Sequence, residues 1–412
     1  LDGKEFLMQK EVRKIQDLEL RGKRVFVRVD FNVPLKHDGK NWVVTDSKRI
    51  EGALETIRHV IASDGKCILA SHLGRPHGKK DLKYSLEPVG AKLSELLQKD
   101  VVLTDDCIGD GAKSLSQRMR NGDVLLLENL RFHEGEEENS PDFVAKLMEL
   151  TDIYVNDAFG TMHRAHASTV GLPKMVAQRA AGFLVQKELK YLSDLRDNPG
   201  RPFALIMGGA KVSDKMGILE QFLPKVDKVF VGGAMAYAFL KAQGHEIGRS
   251  LCDEKQVQLA SKILRISDAR KVKVFLPVDH VATSAISDVK GKVITDGVDI
   301  PKNLLGVDVG PKTLELFQNE LSGMKTIFWN GPMGVFEEPA FSKGTFELSK
   351  IIAGTQALKL AGGGDSASAI SQSGCEDQFD FISTGGGATL EFLEGRDFAG
   401  LKALEYRVQG DG

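Results

Sequence analysis

Arg24-Val25-Phe26-Val27-Arg28-Val29, running straight into Asp30-Phe31-Asn32, is the stretch that decides the fold. It reads as a short β-rich strand, and the chain beyond it repeats the unit. A helical pattern covers Ile50 to Ile61, a second run Cys67 to Ala70, a helical pattern Glu87 to Gln98, and a third run Val101 to Leu103. Strands that alternate with helices pair in parallel and are covered by helices on both faces. The fold class is α/β.

Composition narrows the classes. A chain of 412 residues at roughly 150 per domain makes two or three domains. With 42% hydrophobic and 27% charged residues it has ordinary globular composition, not that of a disordered, collagenous or disulfide-stapled chain. Lys+Arg number 55 against 57 Asp+Glu, a formal charge of -2, so no global basic field holds nucleic acid and any anion site is local. No apolar stretch approaches the ~18 residues of a membrane span, and the charged start Leu1 to Lys14 has no signal-peptide core. The expectation is a cytoplasmic chain with no membrane partner. Cys67, Cys107, Cys252 and Cys375 show no CxxC and no Cys/His ligand spacing, which argues against a zinc site and a disulfide framework.

The organisation is bipartite. Gln186 to Arg196 reads as a charged amphipathic helix, and Asp197-Asn198-Pro199-Gly200 stops it. The strand-helix alternation restarts at Phe203 to Met207 and runs to about Glu394.

Ligands of parallel α/β sheets bind beyond the carboxyl ends of the strands, and there the two halves differ. First-half strands run into Asp30-Phe31-Asn32, Ser71-His72-Leu73-Gly74-Arg75, Glu128-Asn129-Leu130-Arg131-Phe132-His133, and Asn156-Asp157-Ala158-Phe159-Gly160 continuing to His163-Arg164-Ala165-His166. Arginines bind phosphate and carboxylate bidentately, so this cluster suits a small, doubly anionic ligand. A metal site among these histidines is the competing reading, but no pair has helix-face spacing with an acidic partner.

Second-half strands end in glycine: Gly208-Gly209, Gly232-Gly233, Gly362-Gly363-Gly364 and Gly385-Gly386-Gly387. Glycine lets backbone N–H groups and a helix N-terminus approach phosphate, which suits a nucleotide, although tight turns require glycine too. Lys211 and Lys215, four apart, are expected on one helix face behind Gly208-Gly209, converging on a phosphate chain. Asp365 either holds Mg²⁺ against phosphates or caps the helix that begins there.

Rival motifs fit less well. Gly362-Gly363-Gly364-Asp365-Ser366-Ala367 formally matches GxGxxA, so the alternative is an NAD-dependent two-domain oxidoreductase, yet Phe379 to Ser383 ends without the ribose-binding acid. No GxxxxGK[ST] and no GxSxG occur. A two-lobed, non-catalytic binding protein would have no use for a second, glycine-lined site.

From about Asp17 to its end the chain resembles the phosphoglycerate kinase family. The resemblance is carried by Arg28-Val29-Asp30-Phe31-Asn32-Val33-Pro34, Ser71-His72-Leu73-Gly74-Arg75-Pro76, Glu128-Asn129-Leu130-Arg131-Phe132, Asn156-Asp157-Ala158-Phe159-Gly160, His163-Arg164-Ala165-His166, Gly208-Gly209-Ala210-Lys211-Val212-Ser213-Asp214-Lys215, Trp329-Asn330-Gly331-Pro332-Met333-Gly334-Val335-Phe336-Glu337 and the two late glycine triplets. It implies two doubly wound, Rossmann-like lobes joined by a hinge helix. Residues 1–185 would be the phosphoglycerate-binding domain, with the tail 396–412 packing back on it, residues 186–200 the hinge helix and linker, and residues 201–395 the nucleotide-binding domain.

The implied reaction is reversible Mg²⁺-dependent phosphoryl transfer between 1,3-bisphosphoglycerate and ADP, giving 3-phosphoglycerate and ATP, by a monomer. Asp30, Asn32, Arg49, His72, Arg75, Arg131 and Arg164 would bind phosphoglycerate. Lys211, Lys215, Gly306, Glu337, Gly363, Gly364, Asp365 and Ser366 would line the nucleotide site, with Glu337 on the ribose and Asp365 on the metal. Arg49 and Lys211 are expected to be the catalytic cations. Ser366 stands where Thr is common, and Ala234 where a third glycine often stands.

Overall fold

The structure, a computed structural model, describes residues 10–407; residues 1–9 and 408–412, which include most of the charged start and the end of the tail, lie outside it. The chain divides into two compact units, Leu1–Lys190 with Asp397–Gly412, and Tyr191–Arg396. The helix Phe183–Asp197 carries the chain from one to the other, beginning three residues before the sequence pattern suggests and ending at Asn198-Pro199-Gly200.

The first unit is built on a six-stranded sheet in the spatial order Val101–Leu103, Val124–Leu126, Lys66–Ala70, Arg24–Val29, Ile153–Asp157, Arg179–Ala181. Every pairing is parallel. Both faces are buried, as parallel sheets require. Val25, Val27 and Val29 join one core with Leu69, Leu126 and Val155, while Phe26 stacks on Tyr154 across the other face. Arg28, on the Phe26 face by the strand's two-residue period, is 1% exposed. The end of the chain returns to this unit: Gly400 N–H donates to Met162 O, and Glu405–Arg407 pairs antiparallel with Lys10–Val12.

The second unit repeats the architecture in the order Lys273–Phe275, Lys228–Val231, Phe203–Met207, Thr326–Asn330, Leu358–Ala361, Phe381–Ile382, again all parallel. Numbered along the chain this is 3-2-1-4-5-6, the dinucleotide-fold order. The first unit's order is 3-4-2-1-5-6, so the two are doubly wound variants of one theme, not copies.

Antiparallel pairs depart from the strand-helix rhythm, Leu35–His37 with Trp42–Val44 in the first unit and a larger sheet in the second. Val293–Ile294, His280–Thr283 and Leu305–Val309 form a three-stranded antiparallel sheet. The segments joining these strands hold no helix, and a parallel crossover needs a dozen or more residues and usually a helix.

Candidate functional site

In each unit all parallel strands end at one edge, so residues far apart in sequence meet there. In the first unit the anchor is Arg28, which sequence reasoning quoted but did not count as a site residue. Its Nε donates to Ser168 Oγ at 2.8 Å, one Nη to Val29 O, and the other to His72 Nδ1 at 3.3 Å. A guanidinium only donates, so His72 Nδ1 accepts and the ring proton resides on Nε2. Burial, then the charges of Arg28, Arg131, Arg164 and Arg49, hold His72 well below the ordinary histidine range. His166 is pushed down to about 3 by burial and then by Arg131, Arg28 and Arg164. These histidines offer neutral hydrogen-bonding groups, and the arginines alone carry the positive charge.

The arginines are fixed by the loops that follow the strands. Arg49 Nη1 donates to Asp30 Oδ2 at 2.8 Å, and Asp30 Oδ1 accepts from Asn32 N–H at 3.2 Å. Asn32 Oδ1 takes the Gly74 N–H at 2.9 Å, tying two strand ends together. Arg131 Nη1 donates to Gly74 O at 2.8 Å. Its Nε is buried without a hydrogen-bond partner, although Glu137 Oε1 stands 3.3 Å away. The nearby carboxylate supplies attraction but not alignment, and an unspent buried donor is what an anion site keeps. Arg164 Nε donates to His163 Nε2 at 3.1 Å, and Arg75 is exposed.

Behind this edge lies a layer that sequence reasoning missed. Glu136 is fully buried and accepts from Ser168 N–H at 2.9 Å and Ser168 Oγ at 2.5 Å, the serine that also holds Arg28. Burial pushes the Glu136 carboxyl up, and Arg28 is the largest opposing influence. Asn129 accepts from Leu73 and Arg131 N–H and donates to Leu73 O and Tyr84 O. An arginine in a strand whose neighbours are all apolar was the legible signal for this layer.

In the second unit the strand order reverses between the parallel neighbours Phe203–Met207 and Thr326–Asn330, the place where such folds bind ligands. The glycines there do two different things. A Cβ on Gly208 would stand 2.1 Å from Pro332 O, one on Gly233 2.6 Å from Gly209 N, and one on Gly331 2.4 Å from Gly208 O. These loops are packed backbone against backbone, which is the tight-turn reading. Gly364, Gly386 and Gly387 have nothing within 4 Å of an added Cβ, so their loops have room for a ligand.

Gly363, at φ +94°, leads into the helix Gly364–Gln372, whose first turn carries the exposed Asp365. Ser366 is buried, and its Oγ accepts from Gly331 N–H at 2.7 Å. Lys215 Nζ donates to Asn330 Oδ1, while Asn330 Nδ2 donates to Gly362 O at 2.6 Å. Asn330, not singled out as a site residue, thus joins Lys215 to the glycine triplet. Burial lowers the Lys215 pKa against the pull of Asp214, Asp365 and Glu394.

The two lysines do not share a helix face, which corrects the sequence expectation. Val212–Lys215 is a 3₁₀ turn and the α-helix begins only at Met216, so Lys211 is extended and exposed ahead of it. Gly306 lies on Leu305–Val309, where an added Cβ would stand 2.1 Å from Tyr237 Oη. Val335 N–H donates to Val307 O at 2.8 Å, so the turn carrying exposed Glu337 docks on that same strand.

Asp365, exposed in the first turn of its helix next to Gly364, which has open space around it, fits a metal held by one carboxylate and by phosphate oxygens. Among the described residues no helix is long and apolar enough to cross a membrane.

A family model described as phosphoglycerate kinase matches residues 15–396. The chain is 54% identical to the phosphoglycerate kinase of Anaeromyxobacter dehalogenans, over 96% of this chain and 99% of that one. It is 48% identical to the phosphoglycerate kinase of Clostridium tetani, over 95% and 97%. Among solved structures, phosphoglycerate kinase from Coxiella burnetii matches with a TM-score of 0.84 at 38% identity, covering 96% of this chain and 99% of that one. The Pyrococcus horikoshii enzyme matches with 0.82 at 33% identity, covering 95% and 98%. The oxidoreductase alternative falls with these findings. The GxGxxA segment also follows the fifth strand of its sheet, whereas a dinucleotide fingerprint belongs on the first.

Proposed function

Because the chain belongs to the phosphoglycerate kinase family, we propose that its two strand-end sites hold the two substrates of one phosphoryl transfer: 3-phosphoglycerate at the arginine cluster, ATP or ADP at the glycine loops. The observation that carries the assignment is Arg131 Nε, buried without a hydrogen-bond partner, in a cluster where the charges of Arg28, Arg49, Arg131 and Arg164 all act on His72. A phosphate or carboxylate oxygen is the partner such a donor lacks. Asp30, Asn32 and His72 then orient phosphoglycerate, His72 through the proton on Nε2.

At the other site Lys215, Gly363, Gly364 and Ser366 face the phosphates, with Gly306 and Glu337 toward the nucleoside. Asp365 would hold Mg²⁺, which neutralises nucleotide phosphate charge when bound.

The acceptor is already anionic, so no general base is required. A carboxylate oxygen of 3-phosphoglycerate forms its bond to the γ-phosphorus as the bond to the ADP oxygen breaks, and the reverse reaction retraces this path. What the protein supplies is alignment and positive charge on the group in flight. Arg49 and the exposed Lys211 are the cations assigned to that task. Transfer without a covalent intermediate requires the two bound substrates to meet, so a closure about residues 186–200 belongs to the proposal, as does a monomeric state.

The test is ADP release from Mg-ATP with and without 3-phosphoglycerate, with hydroxylamine present to trap an acyl phosphate. Release that depends on phosphoglycerate and yields a hydroxamate supports the reading; release without hydroxamate overturns it. Small-angle scattering that shows no compaction with both substrates bound would remove the closure.

A further inference from the structure

Asp106, Cys107 and His133 place a carboxylate oxygen, a thiol sulfur and an imidazole nitrogen within 4.8 Å of one another. They come from two separate loops, one leading into the helix Gly109–Arg118 and the other following Leu130–Phe132. The ligand-spacing rule that argues against zinc in the sequence cannot see such a set, because the donors meet only through the fold.

We propose that these three residues form a site for a divalent, borderline-soft cation of the zinc class. The donor types are the ones zinc takes, with bonds of about 2.0 Å to nitrogen and oxygen and about 2.3 Å to sulfur. Ligands around one tetrahedral ion then stand roughly 3–4 Å apart, so small side-chain rotations close the set.

A plain ion pair explains two of the three residues. His133 Nε2 lies 2.6 Å from Asp106 Oδ1. The third donor, Cys107, is 0% exposed and stands beside the same carboxylate, so the fold brings a thiol to a pair that already supplies two of the donor types zinc takes.

The remaining geometry suits a ligand set. Cys107 N–H donates to Asp106 Oδ1 at 2.6 Å, which orients that carboxylate. The His133 ring packs on Phe143 with centroids 5.5 Å apart, which limits its rotation. Asp106 and His133 are half-buried, so an ion has a route in while Cys107 closes the inner side. Binding releases the thiol proton to solvent, and His133 Nε2 exchanges its contact with Asp106 for the ion. The fourth position is left to water.

The test uses the untagged full chain, stripped with a chelator and titrated with Co²⁺ in the absence of nucleotide. One equivalent is expected to give a near-ultraviolet thiolate-to-cobalt band and the visible bands of tetrahedral cobalt, both displaced by one equivalent of Zn²⁺. Cys107→Ser should lose the near-ultraviolet band, His133→Asn and Asp106→Asn should weaken Co²⁺ binding at least tenfold, and Cys252→Ser should change nothing. Circular dichroism checks the fold of each variant. If Cys107→Ser does not fold, the His133→Asn titration decides. No sulfur-to-metal band, a band that persists in Cys107→Ser, or unweakened binding in His133→Asn overturns the site. No turnover is measured, so the outcome is independent of the kinase reading.

Discussion

The two units hold their candidate ligand sites by opposite means. In the first, charged side chains are locked by hydrogen bonds to fixed partners: Ser168 and Val29 O on Arg28, Gly74 O on Arg131, Asp30 on Arg49. In the second, the loops around Gly364, Gly386 and Gly387 offer open space and backbone. A small, rigid dianion has few atoms to grip, so the groups that meet it must be fixed in advance, and a side chain is fixed only by packing. A polyphosphate can be followed by backbone N–H groups, provided no Cβ intrudes.

Breaking the contrast on its catalytic side gives the largest expected effect. Arg49→Ala and Lys211→Ala should each lower kcat by about 10²–10³-fold with a smaller change in KM, if each acts mainly on the group in flight. Steady-state kinetics in both substrates checks this, and unchanged turnover in either variant would remove that residue from the clamp.

Glycines sharpen the comparison within the second unit. Gly208→Ala drives a Cβ into the Pro332 carbonyl and should cost about 3 kcal/mol of stability in urea unfolding. Gly364→Ala meets nothing and should stay within about 0.5 kcal/mol while weakening nucleotide affinity. Equal stability in the two variants would erase the distinction between packing and ligand glycines.

Each unit also buries one carboxyl raised to about 7 by desolvation, Asp157 in the first and Asp308 in the second. The folded state holds these protons at a pH where the unfolded chain has released them. Their contribution is therefore greatest below the unfolded carboxylate range near pH 4 and declines as pH rises to about 7, by roughly 1.4 kcal/mol per pH unit per group. Asp157→Asn should flatten this slope relative to the parent in urea midpoints measured between pH 5 and 8; an unchanged slope would count against a protonated Asp157. Ser366→Ala removes the acceptor for Gly331 N–H and should cost about 1 kcal/mol in urea unfolding.

Much of this was legible in the chain. Arg24–Val29 followed by Asp30-Phe31-Asn32 announced both a buried strand and its functional end, because strand propensity and the residue that ends a strand are local properties. The Lys211 and Lys215 pair was misread because four-residue spacing means one face only in an α-helix, and a 3₁₀ turn with three residues per turn intervenes. The antiparallel sheet around His280–Thr283 was missed because short β-rich runs look alike whichever way they pair.

The α/β class, the parallel sheets and the contrast between charged and glycine-rich strand ends could be read from the chain, since each is written in residues close together along it. Tertiary structure alone decided the strand order of each sheet, the neutral state of His72 and His166, which glycines face open space, and the meeting of Asp106 and Cys107 with His133. The physical reason is common to all four: each depends on atoms brought close by folding, and burial, charge and contact are properties of neighbours in space.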